Sequence, residues 1–191
     1  MGKAFSIVER SHVEAKKFFG LRAIDCAVDA TLGGGGALFL ASLLSEGGRI
    51  FGFDVQAEAV ARSRALFEKN GLLGKCTLFC SGHENMSELI PQKYRGKVGC
   101  VFFNLGWLPR SDKACVTKPE TTIAALTAAV GFIDKSFGYL SAAAYRGHLG
   151  GEEECEAVRN FFSKIKTART EEMASSGDPK SPVLFTAKFM I

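Results

Sequence analysis

Residues 24–54 read IDCAVDATLGGGGALFLASLLSEGGRIFGFD, and the order of patterns along this stretch decides the fold. Ile24 to Ala30 is a short, mostly apolar run of the length of a buried strand. The glycines Gly33 to Gly36 interrupt it, Ala37 to Leu44 continues as an apolar helix, and Gly47-Gly48 stops that helix. Arg49 to Phe53 then forms a second strand that ends on Asp54. The unit is strand, glycine loop, helix, strand.

The same alternation extends in both directions. Ser6 to Phe19 carries Ile7, Val13, Phe18 and Phe19 in an amphipathic helix that packs ahead of the first strand. Downstream, Gln56 to Asn70 reads as a helix closed by Gly71, and Cys76 to Cys80 as a third strand. Val98 to Phe103 is a fourth strand, Thr121 to Asp134 a helix capped by Thr121 or Thr122, Tyr139 to Tyr145 a fifth strand, and Glu152 to Lys166 a further helix. Strands alternating with helices imply a parallel sheet covered on both faces. Thr167 to Ala174 and Pro182 to Phe189 are separated only by Ser175 to Ser181, too short for a crossover helix, so they form an antiparallel hairpin at one sheet edge. The fold class is α/β and Rossmann-like, with seven strands and a C-terminal hairpin.

Composition narrows the function classes. A chain of 191 residues, 47% hydrophobic and 23% charged, fits one domain over residues 1–191, with residues 1–20 as a helix on the sheet, and excludes a disordered chain or a coiled-coil rod. No run of about 18 apolar residues would cross a membrane. Lys3, Glu9, Arg10, Glu14, Lys16 and Lys17 make the N-terminus neither a signal peptide nor a transit peptide, so a cytoplasmic location is expected. The six cysteines include no Cys-x-x-Cys, and His12, His83 and His148 lack zinc-like spacing, so free thiols and no metal are expected. A net charge of +4 permits an RNA partner without requiring one.

Candidate chemistry falls at the carboxyl ends of the strands, where open α/β sheets bind ligands. Asp29 directly precedes the glycine loop, whose glycines let a cofactor approach backbone amides at a helix start. Asp54 ends the second strand, where an acid can accept hydrogen bonds from ribose hydroxyls or, alternatively, cap the next helix. The pair suits NAD and S-adenosylmethionine (SAM) alike. Asp29 favours SAM, because it would repel a dinucleotide's pyrophosphate. Seven strands with a terminal hairpin is also the architecture of class I SAM methyltransferases. His83, after the third strand, can stack on adenine or belong to a surface turn.

Asn104-Leu105-Gly106-Trp107-Leu108-Pro109 follows the fourth strand and resembles the Asn-Pro-Pro-aromatic motif of amino methyltransferases, with Leu105-Gly106 in place of the prolines. In that motif the Asn oxygen accepts hydrogen bonds from the target amine and the aromatic contacts the substrate. Trp107 is the chain's one tryptophan, either a stacking platform for a base or core packing. Arg110 to Thr122 is a polar stretch suited to covering a substrate, and Tyr145 to Glu152 is a glycine-rich turn after the fifth strand.

Together, Asp29 to Gly33, Phe53-Asp54-Val55-Gln56, Ser81-Gly82-His83, Phe103 to Pro109, Asp112-Lys113, Thr121-Thr122-Ile123 and Tyr145-Arg146-Gly147-His148 look like the small "putative rRNA methylase" family of bacterial class I methyltransferases. The resemblance covers nearly the whole chain. It implies a SAM-dependent enzyme that methylates the 5-aminomethyl group of wobble 2-thiouridine in tRNA. It further implies that Asp29, Thr31, Gly33, Gly35, Asp54, Gln56, His83 and Asn104 surround the cofactor. Asn104, Tyr145, His148 and Asp112 are then the catalytic candidates, and Trp107, Pro109, Lys113 and Thr122 the substrate contacts. The family's loop reads Asp-Ala-Thr-x-Gly-Asn-Gly-x-Asp-Thr; here Gly34 replaces the Asn and the Asp-Thr pair is lost, so SAM binding with altered affinity is expected. Other readings are an rRNA substrate, an RNA-binding relative without catalysis, and an NAD-linked oxidoreductase. An anticodon arm would be held by the domain's own basic surface or by the second subunit of a homodimer.

Overall fold

Ser6 starts the first helix with a reciprocal cap: its hydroxyl accepts the Glu9 amide at 3.2 Å and its own amide donates to the Glu9 carboxylate at 2.8 Å. The helix, α1 (Ile7–Phe19), buries Ile7, Ser11, Ala15 and Phe19, spaced four apart on one face. The computed structural model describes residues 5–33, 36–106 and 116–190. Its strands are β1 (Ile24–Asp29), β2 (Leu44–Asp54), β3 (Cys76–Cys80), β4 (Cys100–Leu105), β5 (Phe137–Ala144), β6 (Arg169–Ala174) and β7 (Val183–Met190). The remaining helices are α2 (Gly36–Ala41), α3 (Ala57–Lys69), α4 (Met86–Leu89), α5 (Pro119–Phe132) and α6 (Gly151–Ser163).

The sheet has seven strands in the order β3-β2-β1-β4-β5-β7-β6. β7 runs antiparallel to both β5 and β6, and every other pairing is parallel. This is the Rossmann-like class I methyltransferase architecture, including the C-terminal hairpin. Alternation along the central strands divides the core between two faces. Cys26, Val28, Val101 and Phe103 pack with Ala125 and Leu126 of α5 and Val158 and Phe162 of α6. Ala27, Cys100 and Phe102 face the other way, against Ala15 of α1, Leu40 of α2 and Phe67 of α3.

Most element boundaries differ from the sequence reading by one to three residues, and the largest departure lies at the start of β2. The helix expected over Ala37 to Leu44 ends at Ala41, and Leu44 already belongs to β2. Ile24 pairs with Leu44 and Cys26 with Arg49, so β2 carries its extra residues in a bulge. Gly48 makes the bulge feasible: a Cβ there would lie 2.9 Å from the Leu44 Cβ and 3.1 Å from the Ile24 carbonyl oxygen. Gly47-Gly48 therefore shapes a strand and does not end a helix. A second correction concerns α5, which starts at Pro119 after an N-cap at Lys118, with Thr121 and Thr122 inside its first turn. Proline suits that first position because its missing amide hydrogen would have had no helical partner.

Among the described residues, Cys26, Cys76, Cys80, Cys100 and Cys155 are free, and no group of histidine, cysteine or carboxylate side chains could hold a metal ion. No helix among them is long and apolar enough to cross a membrane.

Candidate active site

The chain runs from β1 outward to β2 and β3, then returns to the other side of β1 as β4. Connections therefore leave β1 and β4 in opposite directions, opening a crevice beyond their carboxyl ends. A cavity of about 520 Å³ occupies this position, within the range of small-molecule sites. Its walls include Thr31, Gly33 and Gly36 after β1, Asp54 and Gln56 after β2, His83 and Glu84 after β3, and Asn104 to Gly106 at the end of β4.

Asp29 ends β1 with only 1% of its surface exposed. Its Oδ1 accepts the Thr31 amide at 3.1 Å, whereas its buried Oδ2 has no hydrogen-bond partner among the described residues. A Cβ on Gly36 would lie 3.4 Å from that Oδ2 and 3.9 Å from the Asn104 Nδ2, so both side chains approach the glycine at the start of α2. Burial pushes the Asp29 carboxyl up to about 7; the Thr31 amide opposes this and the Asp54 carboxylate adds to it.

Asp54 joins the loops after β1 and β2. Its Oδ2 accepts the Gly33 amide at 3.1 Å and its Oδ1 the Gln56 amide at 2.9 Å. The N-cap of α3 is Gln56, so Asp54 is not the capping residue. Thr31 reaches the opposite strand, its hydroxyl oxygen accepting the Asn104 backbone amide at 2.8 Å.

His83 is 7% exposed, and its Nδ1 lies 3.2 Å from the Ala30 carbonyl oxygen. A carbonyl can only accept, so this nitrogen carries hydrogen, while burial lowers the ring's pKa and keeps it neutral near pH 7. The ring also stands edge-on to Phe103 at a centroid distance of 5.6 Å. It is a fixed wall of the cavity rather than part of a surface turn.

The loop after β5 packs against the end of β4. Tyr145 donates its amide to the Leu105 carbonyl at 3.1 Å and lines the cavity, and burial raises its phenol pKa. A Cβ on Gly106, where φ is +149°, would sit 3.3 Å from the Tyr145 Cβ and 3.6 Å from the His148 Nε2. His148 thus lies behind Gly106, with its Nδ1 3.0 Å from the Leu149 carbonyl oxygen. Thr122 is fully buried and donates its hydroxyl to Glu154, whereas the preceding Thr121 lines the cavity. Gly35, Trp107, Pro109, Asp112 and Lys113 lie outside the described residues.

Val8 and Glu154 are additions that the sequence reading did not make, whereas Thr117 and Lys118 belong to the polar stretch it read as covering a substrate. Val8 reaches the cavity from α1, and Thr117 and Lys118 from the approach to α5. Glu154 ends the run Glu152-Glu153-Glu154, which looks like a solvated helix start. Its helical position was the available signal, because it falls on the buried face with Gly151, Cys155, Val158 and Phe162.

Residues 50–184 match the family described as "Putative rRNA methylase". Over 150 residues the chain is 34% identical to the tRNA (mnm(5)s(2)U34)-methyltransferase, chloroplastic, of Arabidopsis thaliana; the match covers 74% of this chain and 54% of that protein, about half its length. A crystal structure described as a putative rRNA-methylase from Clostridium thermocellum is 33% identical, with a TM-score of 0.85 over 98% of this chain and 99% of that one. A "putative methyltransferase" from Streptococcus mutans in complex with SAH has the same fold at 23% identity, with a TM-score of 0.80 over 98% of each chain. The match runs from β2 through the start of β7 and so takes in Asp54, His83, Asn104 and Tyr145: the chain belongs to the Putative rRNA methylase family.

Proposed function

We propose that the protein is a SAM-dependent RNA methyltransferase that N-methylates the 5-aminomethyl group of the wobble 2-thiouridine of tRNA. The carrying observation is that Asp54 and Asn104 line one crevice at the switch point of the sheet, with the buried Asp29 carboxyl directly behind Gly36 in its wall. The name of the Arabidopsis relative supports the choice of nucleotide.

The residues present fit SAM. The unpartnered Asp29 Oδ2 is suited to a cationic donor such as the cofactor's ammonium group, and it would repel a pyrophosphate, which argues against NAD. Asp54 already accepts two backbone amides, yet a carboxylate has about four acceptor sites, leaving capacity for ribose hydroxyls. Thr31, Gly33, Gln56 and the neutral His83 complete the pocket. SAM, when bound, supplies an electrophilic methyl group on a sulfonium.

The protein's part in the reaction is to present a neutral amine. A free alkyl amine has a pKa near 10.4, and burial shifts it toward the neutral form. The Asn104 oxygen and neighbouring backbone carbonyls accept its N–H groups and aim its lone pair; such alignment is worth roughly 7 to 11 kcal/mol in favourable systems. Tyr145 lines the cavity, and burial raises its phenol pKa further above the ordinary value. Tyr145, His148 and Asp112 are the candidates for taking up the proton or positioning the amine in this reading. Trp107, Pro109 and Lys113 follow Asn104 in sequence and contact the nucleotide in this reading.

Transfer of labelled methyl from SAM to separate tRNA and rRNA pools, both from cells lacking the wobble methyl, tests the proposal. Label is expected in tRNA alone. Label in rRNA alone would keep the chemistry and move the substrate, and label in neither would overturn the proposal.

A further inference from the structure

Glu154 lies in the first turn of α6, outside the cavity, and is 1% exposed. Burying a carboxylate is costly unless hydrogen bonds compensate it. Here the donors are two threonine hydroxyls, Thr117 on the approach to α5 at 2.7 Å and Thr122 in its first turn at 2.6 Å. The positive end of the α6 dipole adds to their effect.

The two threonines differ in what lies beyond them. Thr122 ends the network inside the core. Thr117 lines the cavity, and its backbone amide donates to the Gly106 carbonyl at 3.1 Å. Gly106 is two residues beyond Asn104, whose own amide is held from the other side by Thr31 at 2.8 Å. The end of β4 is therefore fixed at two points, one through the loop after β1 and the other through Thr117 and the buried carboxylate.

We propose that Glu154 is a positioning residue for the methyl-acceptor site: it anchors Thr117, and through the Thr117 to Gly106 bond it fixes the strand end that aims Asn104. The kinetic consequence rests on the methyl-transfer reading above, whereas the anchoring itself does not.

Thr117→Val keeps the side chain's shape and removes the hydroxyl, and Thr117→Ser restores it. Two readouts are taken on the full chain: hydrogen exchange of the amide at position 117, and steady-state methyl transfer with separate kcat and KM. For Thr117→Val, exchange is expected to rise at least about tenfold and kcat to fall about tenfold, with the RNA KM and SAH affinity within about twofold. Thr117→Ser should recover both, and Glu154→Gln, with one carboxylate acceptor replaced by a donor, should raise exchange in the same direction. Phe162→Leu, a core substitution in α6, controls for general destabilisation and should lower Tm while leaving exchange at 117 and kcat within about twofold. Wild-type exchange in Thr117→Val would overturn the anchor. A kcat loss that Thr117→Ser fails to recover, or that Phe162→Leu reproduces, would overturn the positioning role. If the wild type transfers no methyl, the methyl-transfer reading fails while exchange still decides the anchor; if it turns over and Thr117→Val matches it, only the positioning inference fails.

Discussion

Thr31 accepts the backbone amide of Asn104 at 2.8 Å, which ties the loop after β1 to the end of β4. The bond uses the Asn104 main chain and leaves its carboxamide free for another task. Asn104→Ala therefore retains the tie and removes only the carboxamide. Its kcat for methyl transfer is expected to fall at least about tenfold, with SAH affinity by calorimetry within a few-fold. Unchanged turnover would remove Asn104 from its role.

Asp54 produces the opposite pattern. Its two oxygens hold the Gly33 and Gln56 amides and face the cavity where ribose hydroxyls are expected. Charge-assisted hydrogen bonds are worth about 1.5 to 3 kcal/mol, so Asp54→Ala should weaken SAH binding by roughly 10- to 100-fold. Wild-type affinity in that variant would place the ribose elsewhere.

Asp29 makes stability depend on pH. Its carboxyl is raised from 3.8 to about 7 in the folded protein, so between these values the folded state binds more protons than the unfolded one. The contribution is fully present below about pH 4 and is lost as pH rises through about 7. Thermal melts of Asp29→Asn, which stays neutral, should lack this component of the decline. Calorimetric affinity for SAM should instead rise through about pH 7, as Asp29 ionises to receive the cation, and Asp29→Asn should flatten that rise. Identical pH profiles for the two proteins would contradict the assignment.

Gly52 tests how the glycine loop is supported from below. A Cβ there would fall 2.5 Å from a Leu32 methyl and 2.9 Å from a Leu78 methyl. Leu32 immediately precedes Gly33, so Gly52→Ala should cost about 1 to 3 kcal/mol of stability and also weaken SAH binding. Denaturant titration and calorimetry would measure the two effects, and a variant as stable as wild type would mean that the leucines repack freely.

The sequence made the architecture legible because the period changes are clear: strand-length apolar runs alternate with helical ones, and the short Ser175 to Ser181 spacer leaves room only for a hairpin. It concealed the start of β2, where apolar Leu43 and Leu44 continue a helical pattern while Gly48 permits a bulge that only backbone contacts reveal. In the site, Asp29 and Asp54 stood out because each ends a strand, and Asn104 because it lies one residue short of the end of β4. Glu154 did not, since a glutamate run at a helix start usually faces solvent, and its threonine partners lie 32 and 37 residues away in sequence. Long-range pairing of that kind has no local pattern.

The most direct test of the central claim is mass spectrometry of nucleosides from tRNA of a strain lacking the wobble methyl, after incubation with SAM and the purified protein. The account predicts that 5-aminomethyl-2-thiouridine disappears as its singly N-methylated form appears, at the wobble position only. Retention of the unmethylated nucleoside with active, SAM-binding protein, or methylation of a different nucleotide, would contradict it.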